Sequence, residues 1–272
     1  MVNNMNYTFG FVGCGNMGGA LAAAAAKALP PQEVAVSDLF PEKPEALRKA
    51  YGISVTDISG IASHSRFLFL AVKPQGFETT FEQLRPLLKS RKDRFVLVSM
   101  AAGVSIAAVE KLADCDCPVI RIMPNTPASV GEGMILYAYN RKVTDVDLDA
   151  FRKGMSESGR LDVLPEEKID AASALSGCGP AFVYLFAEAL ADGAVECGLP
   201  RDKAVLYAAQ TIYGSAKLLL ESGKHPGELK DAVCSPGGTT IVGVHALEDR
   251  AFRSAAMNAV TAAYEKTLKL KK

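Results

Sequence analysis

A glycine-rich segment near the amino terminus has the GxGxxG spacing of a dinucleotide-binding turn. Its six residues are Gly13, Cys14, Gly15, Asn16, Met17 and Gly18. In this motif the first glycine makes a tight turn, the second lets a pyrophosphate approach the backbone, and the third lets the next helix pack on the strand. The NH groups at the start of that helix would face the phosphates. The segment therefore predicts a binding site for a dinucleotide.

Asp38 stands where an acidic residue would bind the adenosine ribose of such a ligand. It follows Gly18 by twenty residues and comes at the end of the second predicted strand. A carboxylate at this position accepts hydrogen bonds from the ribose hydroxyls and repels a 2′-phosphate, which favours NADH over NADPH. Two alternatives stay open from the residues alone: Asp38 could cap the next helix, and Lys43 or Arg48 could bind a phosphate.

Two later strand ends should border the same crevice. Val72, Lys73 and Pro74 follow one predicted strand, and Ala102 follows another. Ligands of open α/β sheets bind outside the carboxyl ends of the strands, where small residues and a rigid proline suit a flat nicotinamide ring. Lys73 could act as a catalytic base, although a solvated or ribose-contacting lysine is the more common case.

Asn125 lies in the segment 123–127, Met-Pro-Asn-Thr-Pro, in which two prolines stiffen the chain. This rigidity predicts that the amide of Asn125 is held near the nicotinamide. A turn that joins two strands is equally compatible with the same residues.

The segment 235–240, Ser-Pro-Gly-Gly-Thr-Thr, has the composition of a helix start. Unpaired NH groups and the positive end of the helix dipole would suit a substrate carboxylate. An ordinary capped helix, with Ser235 as the N-cap and Pro236 as the first helical residue, explains the same pattern. The two interpretations are compatible with each other.

Alternating strands and helices are predicted to position these residues in the first part of the chain. The predicted strands are 8–12, 33–37, 67–72, 95–99 and 118–122. The predicted helices are 18–29, 43–51, 77–88 and 105–113. This alternation is typical of a mostly parallel sheet with helices on both faces, the Rossmann-type α/β fold.

After residue 134 the pattern changes. Residues 134–139 and 161–165 resemble edge strands with a helix around 147–158 between them, and the later helical stretches are 181–197, 201–221 and 239–270. We therefore predict a dinucleotide-binding domain over residues 1–163 and an all-α dimerisation domain over residues 164–272. Helices so rich in alanine bury too little surface alone, which predicts oligomerisation through the second domain.

Composition and charge limit the class of ligand. The 272 residues include 30 Lys and Arg and 30 Asp and Glu, so no net charge is available to attract nucleic acid or an anionic membrane. No uninterrupted apolar run approaches the ~18 residues that span a bilayer, and the amino-terminal segment lacks the pattern of a secretory signal. We therefore expect a cytoplasmic protein that binds a small molecule.

The cysteine spacing argues against a metal or a disulfide framework. The six cysteines, at positions 14, 115, 117, 178, 197 and 234, lack the CxxC spacing of a redox or zinc site and are expected to be free thiols. Cys115 and Cys117 could form a metal clip, but His64, His225 and His245 are distant from them in sequence. We therefore expect no metal site.

The segment 225–248, HPGELKDAVCSPGGTTIVGVHALE, resembles the pattern of the pyrroline-5-carboxylate reductase family. AVKP at 71–74, MPNTP at 123–127, SGCGPA at 176–181 and GLP at 198–200 resemble further family motifs in the same order, so the resemblance covers nearly the whole chain. It implies an oxidoreductase of proline biosynthesis that uses NADH or NADPH to reduce the C=N bond of 1-pyrroline-5-carboxylate, giving L-proline.

The resemblance also implies roles for particular residues. The implied substrate-binding residues are Glu166, Ser235, Gly238, Thr239 and Thr240. Thr240 would bond the ring nitrogen, the backbone over 238–240 would hold the carboxylate, and Glu166 would lie beside the substrate. The resemblance implies a homodimer in which one chain's second domain completes the partner's nucleotide site, and a decamer of five dimers in many members. Asp38 departs from the family, whose members commonly have a small or hydroxylated residue there and often use NADPH.

Hydride transfer to a C=N bond requires a proton on the nitrogen, and no histidine or buried lysine is obviously placed to supply it. An imine already protonated in water would need only orientation against the nicotinamide, with Thr240 holding or relaying one proton. A 3-hydroxyacid dehydrogenase of the same plan would need a lysine base in the helix over 181–194, which contains none. The other alternative is a non-catalytic redox sensor that binds a dinucleotide and signals through its helical domain, but nothing resembling a DNA-reading helix or a basic face supports it.

Overall fold

Strands and helices alternate over the first part of the chain, and the computed structural model describes residues 6–270 apart from the side chains of Pro74 and Leu270. Within these residues an eight-stranded sheet has the order β3-β2-β1-β4-β5-β6-β7-β8. The strands are β1 (Tyr7–Val12), β2 (Val34–Ser37), β3 (Ser54–Val55), β4 (Ser65–Leu70), β5 (Val96–Ser99), β6 (Val119–Met123), β7 (Gly133–Tyr139) and β8 (Gly159–Val163). Only the β6–β7 pair among them is antiparallel, so the predicted Rossmann-type α/β fold is confirmed.

Helices cover both faces of this sheet. They are α1 (Asn16–Ala28), α2 (Glu42–Tyr51), α3 (Ile58–His64), α4 (Phe77–Ser90), α5 (Ile106–Ala113), α6 (Asp145–Gly154) and α7 (Glu166–Ser176). Helices α1 and α6 contribute side chains to the core on one face, and α3, α4 and α5 contribute to the core on the other. The alanine-rich face of α1 is completely buried at Ala22 and Ala25, because small side chains let a helix lie close to the strands.

Alternate residues of the central strands build the core under α1 and α6. Phe9 and Phe11 of β1 and Phe67 and Phe69 of β4 are fully buried there, as the two-residue period of a strand requires. The rings of Phe11 and Phe69 stack with their centroids 4.3 Å apart. This packing holds the carboxyl ends of β1 and β4 side by side, where the glycine turn begins.

The described chain contains two compact units. Residues 6–177 with 264–270 form the first unit, and residues 178–263 form the second. Helix α7 therefore belongs to the first unit. The division predicted after residue 163 stays a prediction about domains, because compactness alone does not show which part of the chain folds independently.

The second unit is helical. After α7 the chain forms α8 (Gly179–Glu196), α9 (Arg201–Ser222), α10 (Pro226–Val233), α11 (Thr239–Asp249) and α12 (Phe252–Leu270). No strand follows Val163 within the described residues, as the sequence predicts. The buried core of this unit consists of Ala191, Ala204 and Ala208.

Two sequence-based expectations about the elements are wrong. Strand β7 is not an edge strand, since it pairs with β6 on one side and with β8 on the other, and most of its residues are buried. The helical stretch predicted over 239–270 is two helices, because Ala251 adopts a left-handed conformation with φ 54° that ends α11 before α12 begins.

One helical stretch, Glu166–Glu196, is long and apolar enough by length and composition to cross a membrane, among the residues that the structure describes. Only 11% of the apolar window in this stretch is buried within the chain. Length and composition do not distinguish a membrane span from an apolar surface that another protein covers.

Candidate active site

The glycine turn has the geometry that a pyrophosphate requires. Gly13 adopts a φ of 105°, and a Cβ there would lie 2.8 Å from the carbonyl oxygen of Ala71. A Cβ at Gly18 would lie 2.3 Å from the oxygen of Gly13, so α1 could not approach the turn. A Cβ at Gly15 would meet no atom within 4 Å. The space above Gly15 is thus open to a ligand, while Gly13 and Gly18 are required by the fold.

Helix α1 begins at Asn16 without a capping side chain. Its N-cap residue is Gly15, and the NH of Gly19 makes the first helical bond, 2.8 Å to the oxygen of Gly15. Asn16 is exposed and Met17 is half-buried. The NH groups of this first turn are therefore free of a capping side chain. Their contact with phosphate oxygens stays a prediction.

Asp38 is fixed beside the glycine turn by backbone donors. The NH of Cys14 donates to Oδ2 at 2.6 Å, and the NH of Phe40 donates to Oδ1 at 3.0 Å. Burial would raise the pKa of Asp38, but these two hydrogen bonds and the charge of Lys43 outweigh it, so the pKa is lowered from its ordinary value. The carboxylate is thus ionised and held at the end of β2. It does not cap α2, whose N-cap residue is Pro41.

The two cations considered near Asp38 differ in their contacts. Lys43 Nζ lies 3.6 Å from Asp38 Oδ1 and 4.5 Å from the centre of the Phe40 ring. Arg48 makes two hydrogen bonds of 2.7 Å to Glu45. Lys43 is therefore the cation that accompanies Asp38 beside the glycine turn.

Cys14, between the first two glycines, is a structural thiol. Its Sγ lies 3.6 Å from the carbonyl oxygen of Ser37. Burial, followed by the charge of Asp38, raises the pKa of Cys14 to about 12. The side chain of Cys14 is neutral, and the contribution of this residue to the site is its backbone NH, which donates to Asp38.

The end of β4 borders the glycine turn. The NH of Ala71 bonds the oxygen of Val12 at 2.9 Å, which places the following residues next to the turn. Val72 is half-buried, Lys73 is exposed, and a 3-10 turn begins at Pro74. Ala102 is exposed beyond the neighbouring strand β5. The exposure of Lys73 agrees with a solvated or ribose-contacting lysine.

Asn125 braces the loop after β6. Its Nδ2 donates to the oxygen of Ser176 at 2.9 Å, and its Oδ1 accepts from the NH of Met134 at 2.8 Å. The amide thus connects this loop to the start of β7 and to the carboxyl end of α7. Both ends of the side chain are used within the protein, so Asn125 shapes the loop, and its contact with a cofactor stays a prediction.

Glu166, the first residue of α7, belongs to a buried charge network. Its Oε1 accepts from the NH of Ile106 at 2.7 Å and from Arg121 Nη1 at 3.2 Å. Arg121 Nη2 donates to Asp170 at 2.6 Å, and Arg121 is only 3% exposed. Arg121 was not predicted as a site residue. An arginine inside the apolar strand VIRIM, followed by carboxylates four residues apart on the next apolar helix, was the signal.

In the second unit, the segment 235–240 forms a turn that leads into α11. The NH of Gly238 bonds the oxygen of Ser235 at 3.0 Å, and Gly237 has a φ of 69°. Helix α11 begins at Thr239 with Gly238 as N-cap and without a capping side chain. The interpretation with Ser235 as N-cap and Pro236 as first helical residue is therefore wrong, because the turn delays the helix by three residues. Uncapped NH groups remain at the helix start.

The predicted site residues thus fall into two groups. The glycine turn, Asp38 and the end of β4 come together in the first unit, which also contains Glu166 and Asn125. Ser235, Gly238, Thr239 and Thr240 belong to the second unit, where both threonines are exposed.

A glycine turn between a parallel strand and a helix, with an ionised carboxylate beside it and a helical second part, defines a Rossmann-type NAD(P)-dependent oxidoreductase. Residues 8–103 match the family model described as NADP oxidoreductase, coenzyme F420-dependent, and residues 166–270 match the one for pyrroline-5-carboxylate reductase dimerisation. The chain belongs to the pyrroline-5-carboxylate reductase family.

Individual relatives cover almost the whole chain. The pyrroline-5-carboxylate reductase of Methanosarcina acetivorans is 42% identical over 270 residues, 98% of this chain and 99% of the relative. The solved reductase of Coxiella burnetii is 30% identical with a TM-score of 0.89, covering 98% of this chain and 99% of that one. The solved enzyme of Plasmodium falciparum, which has NADP bound, is 33% identical with a TM-score of 0.85, covering 98% and 100%.

Proposed function

We propose that the protein catalyses the last step of proline biosynthesis, in which a hydride from NADH or NADPH reduces the C=N bond of 1-pyrroline-5-carboxylate to give L-proline. The observation that carries the proposal is the near full-length similarity to enzymes of this name, 42% identical in one archaeal relative. The open glycine turn and the uncapped start of α11 support it independently, because an imino acid reductase needs one place for phosphates and another for a carboxylate.

The first unit would bind the cofactor. The NH groups from Gly15 to Gly18, at the open part of the glycine turn and the start of α1, would hold the pyrophosphate. The NH groups of Gly13 and Cys14 already donate to Ser37 and Asp38. Asp38 would accept bonds from the adenosine ribose. Residues 72–74, Ala102 and the loop braced by Asn125 would border the nicotinamide, which supplies the hydride when it is bound. Such a division follows the rule that ligands of open α/β sheets lie beyond the carboxyl ends of the strands.

The start of α11 would bind the imino acid. The uncapped NH groups over 238–240 would hold its carboxylate, the hydroxyl of Thr240 would bond the ring nitrogen, and Ser235 would border the same turn. A Cβ at Gly238 would lie 2.3 Å from Ser235 Oγ, so glycine keeps this turn tight. Glu166 would lie beside the substrate with Oε2, because Oε1 already accepts two protein donors.

Catalysis would depend on how the protein positions the imino acid against the nicotinamide. Lys73 is exposed, and Glu166 and Asp38 are held by protein donors, so none of them has the setting of a general acid for the ring nitrogen. An imine that arrives protonated needs only a neutral hydroxyl to orient its NH and a fixed distance to the nicotinamide. Thr240 would supply that orientation and hold or relay the proton.

The match to a dimerisation domain supports an oligomer, and we propose a homodimer built from the second unit, with a decamer of five dimers as a further assembly. The partner's second unit would complete the nucleotide site. Subunit contact would also cover the exposed apolar residues of α8, such as Tyr184 and Leu185. We therefore propose a cytoplasmic enzyme without a membrane or nucleic-acid partner.

The test is a substrate screen that follows NADH and NADPH absorbance. We expect oxidation of the cofactor with 1-pyrroline-5-carboxylate and formation of proline. Failure to oxidise either cofactor with any cyclic imine would favour a non-catalytic dinucleotide sensor. Cofactor reduction with 3-hydroxyacids in place of imine reduction would favour a dehydrogenase of the same plan.

A further inference from the structure

Two cysteine side chains lie in contact in the loop between α5 and β6. The Sγ atoms of Cys115 and Cys117 are 2.6 Å apart, and both residues are free thiols. Cys115 is half-buried, whereas Cys117 is only 4% exposed. Since a disulfide bond is about 2.0 Å long, the two sulfur atoms need to move by less than ~1 Å to form one. This pair takes no part in the proposed reduction.

Neighbouring side chains fix the loop in this arrangement. Asn140 Nδ2 donates to the oxygen of Cys117 at 3.0 Å, and Asn140 Oδ1 accepts from the NH of Val119 at 3.2 Å. Lys142 forms ion pairs with Asp116 and, at 3.1 Å, with Glu110. The backbone is therefore held on both sides of Cys117, and the two thiols remain in contact.

The two thiols differ in their charge state. The hydrogen bond from the Cys117 thiol lowers the pKa of Cys115, and the charge of Lys142 adds to this against the effect of burial. The same hydrogen bond, followed by burial, raises the pKa of Cys117. Cys115 is thus both the more accessible sulfur and the one that forms a thiolate more readily, as an attacking thiol must be.

We propose that Cys115 and Cys117 form a reversible intramolecular disulfide by exchange with small-molecule disulfides such as oxidised glutathione. The Cys115 thiolate attacks one sulfur of the small disulfide, so a mixed disulfide forms and one glutathione thiolate leaves and takes a proton. Cys117 then loses its proton and attacks the Cys115 sulfur, which releases the second glutathione. Two protein thiols are oxidised and one glutathione disulfide is reduced to two thiols.

Reduction of the Cys115–Cys117 disulfide by glutathione should occur as readily as its formation. A disulfide that closes so short a loop gains little from restricting the unfolded chain, and strained or accessible disulfides are the labile ones. Loss of the Cys115 thiolate removes the hydrogen bond that raises the pKa of Cys117, so the second step becomes easier once the mixed disulfide exists.

The experiment is mass spectrometry of the folded protein after incubation in glutathione redox buffers, with free thiols blocked before digestion. Cleavage by trypsin after Lys111 and Arg121 gives the peptide 112–121, whose only cysteines are Cys115 and Cys117. We expect this peptide to lose two hydrogen atoms and to regain them with dithiothreitol. Cys197, an exposed free cysteine of the second unit, is the internal control and should carry glutathione instead.

Two variants test the order of the steps. Cys117→Ser should accumulate glutathione on Cys115, and Cys115→Ser should leave Cys117 reduced in the folded protein. The proposal is overturned if the wild-type peptide stays reduced while Cys197 carries glutathione, if Cys115 stops at the mixed disulfide, or if the peptide is found linked to another chain. Cofactor binding by each variant, measured by fluorescence, confirms that it is folded.

Discussion

Asp38 is the residue whose contacts bear most directly on the choice of cofactor. Its two oxygens accept bonds from the NH groups of Cys14 and Phe40, so the carboxylate cannot turn away from the glycine turn without losing both. Lys43 lies 3.6 Å away and could receive a phosphate. The preference between NADH and NADPH therefore depends on the balance between the negative charge of Asp38 and the positive charge of Lys43.

Replacement of Asp38 by serine should raise kcat/KM for NADPH relative to NADH, by about tenfold or more, because a charge that repels the 2′-phosphate at close range is removed. Initial rates with both cofactors measure this ratio. Asp38→Asn is the matched comparison, since it removes the charge, keeps the size of the side chain and retains an acceptor oxygen for one of the two backbone donors. An unchanged ratio in both variants, or strong NADPH preference in the native enzyme, would show that Asp38 serves only to hold the glycine turn.

Thr240 is the residue proposed to contact the reacting bond. Thr240→Val keeps the shape of the side chain and deletes the hydroxyl, so loss of one transition-state hydrogen bond should cost about 1 to 3 kcal/mol, or roughly 5-fold to 150-fold in kcat/KM. Steady-state kinetics with 1-pyrroline-5-carboxylate measure the loss, and cofactor binding should change little.

Thr239→Val is the comparison for this experiment. Both threonines are exposed in the first turn of α11, and both backbone NH groups survive the substitution. A native rate for Thr240→Val, or loss of cofactor binding in its place, would contradict the assignment and move the search for the imino-acid pocket towards Glu166 and Asn125.

Among the elements, helix α6 contains the carboxylate whose ionisation contributes most clearly to stability. Asp147 is 1% exposed, closes a capping box with Thr144, and forms ion pairs with Arg94 at 2.7 Å and Arg66 at 3.2 Å. Burial would raise the pKa of Asp147, but the bonds from Arg94, Thr144 and Arg66 lower it from 3.8 to about 2. The folded state thus prefers the ionised form.

A carboxylate whose pKa is lower in the folded state than in the unfolded state stabilises the fold at pH values above its unfolded-state pKa. This stabilisation is lost as the pH falls through the folded-state pKa. Asp147→Asn should therefore lower the free energy of unfolding by about 2 kcal/mol at pH 7. The difference from the native protein should shrink as the pH falls from about 4 towards 2. Urea unfolding across this range measures it. Asp145→Asn, an exposed residue in the first turn of the same helix, should change stability little at any pH.

Short sequence patterns predicted those parts of the fold and site that are built from residues close together in the chain. The glycine turn and Asp38 were predictable because the strand, turn and helix that position them are encoded within about thirty residues. Arg121 with Glu166, and Asn125 with Ser176, were not predictable, because each contact joins segments more than forty residues apart. The start of α11 at Thr239 agrees with the predicted helical stretch 239–270. The interpretation with Ser235 as N-cap placed this start three residues early, since Pro236 and Gly237 suit a turn as well as a first helical turn.

At the scale of the whole molecule, the second unit leaves its apolar residues exposed. Its buried core contains only alanines, whereas Tyr184 and Leu185 of α8 and Leu206 of α9 are 63%, 68% and 56% exposed. Three buried alanines contribute too little to hold the helices of the unit together. The second unit therefore needs a covering surface of comparable size, and a second copy of the same helices provides one with the required chemistry.

We therefore predict an obligate dimer, with a melting temperature that rises with protein concentration because only the assembled state is stable. Leu185→Asp should weaken the dimer at least about 100-fold, since a charge would be buried in the interface. Val146→Asp is the matched control, because Val146 is 69% exposed on α6 of the first unit and lies outside the proposed interface. Sedimentation at micromolar concentration should show a dimer or larger assembly for the native protein and the control, and dissociation or unfolding for Leu185→Asp. A monodisperse, active native monomer at that concentration would refute the prediction and leave the exposed helices without a partner.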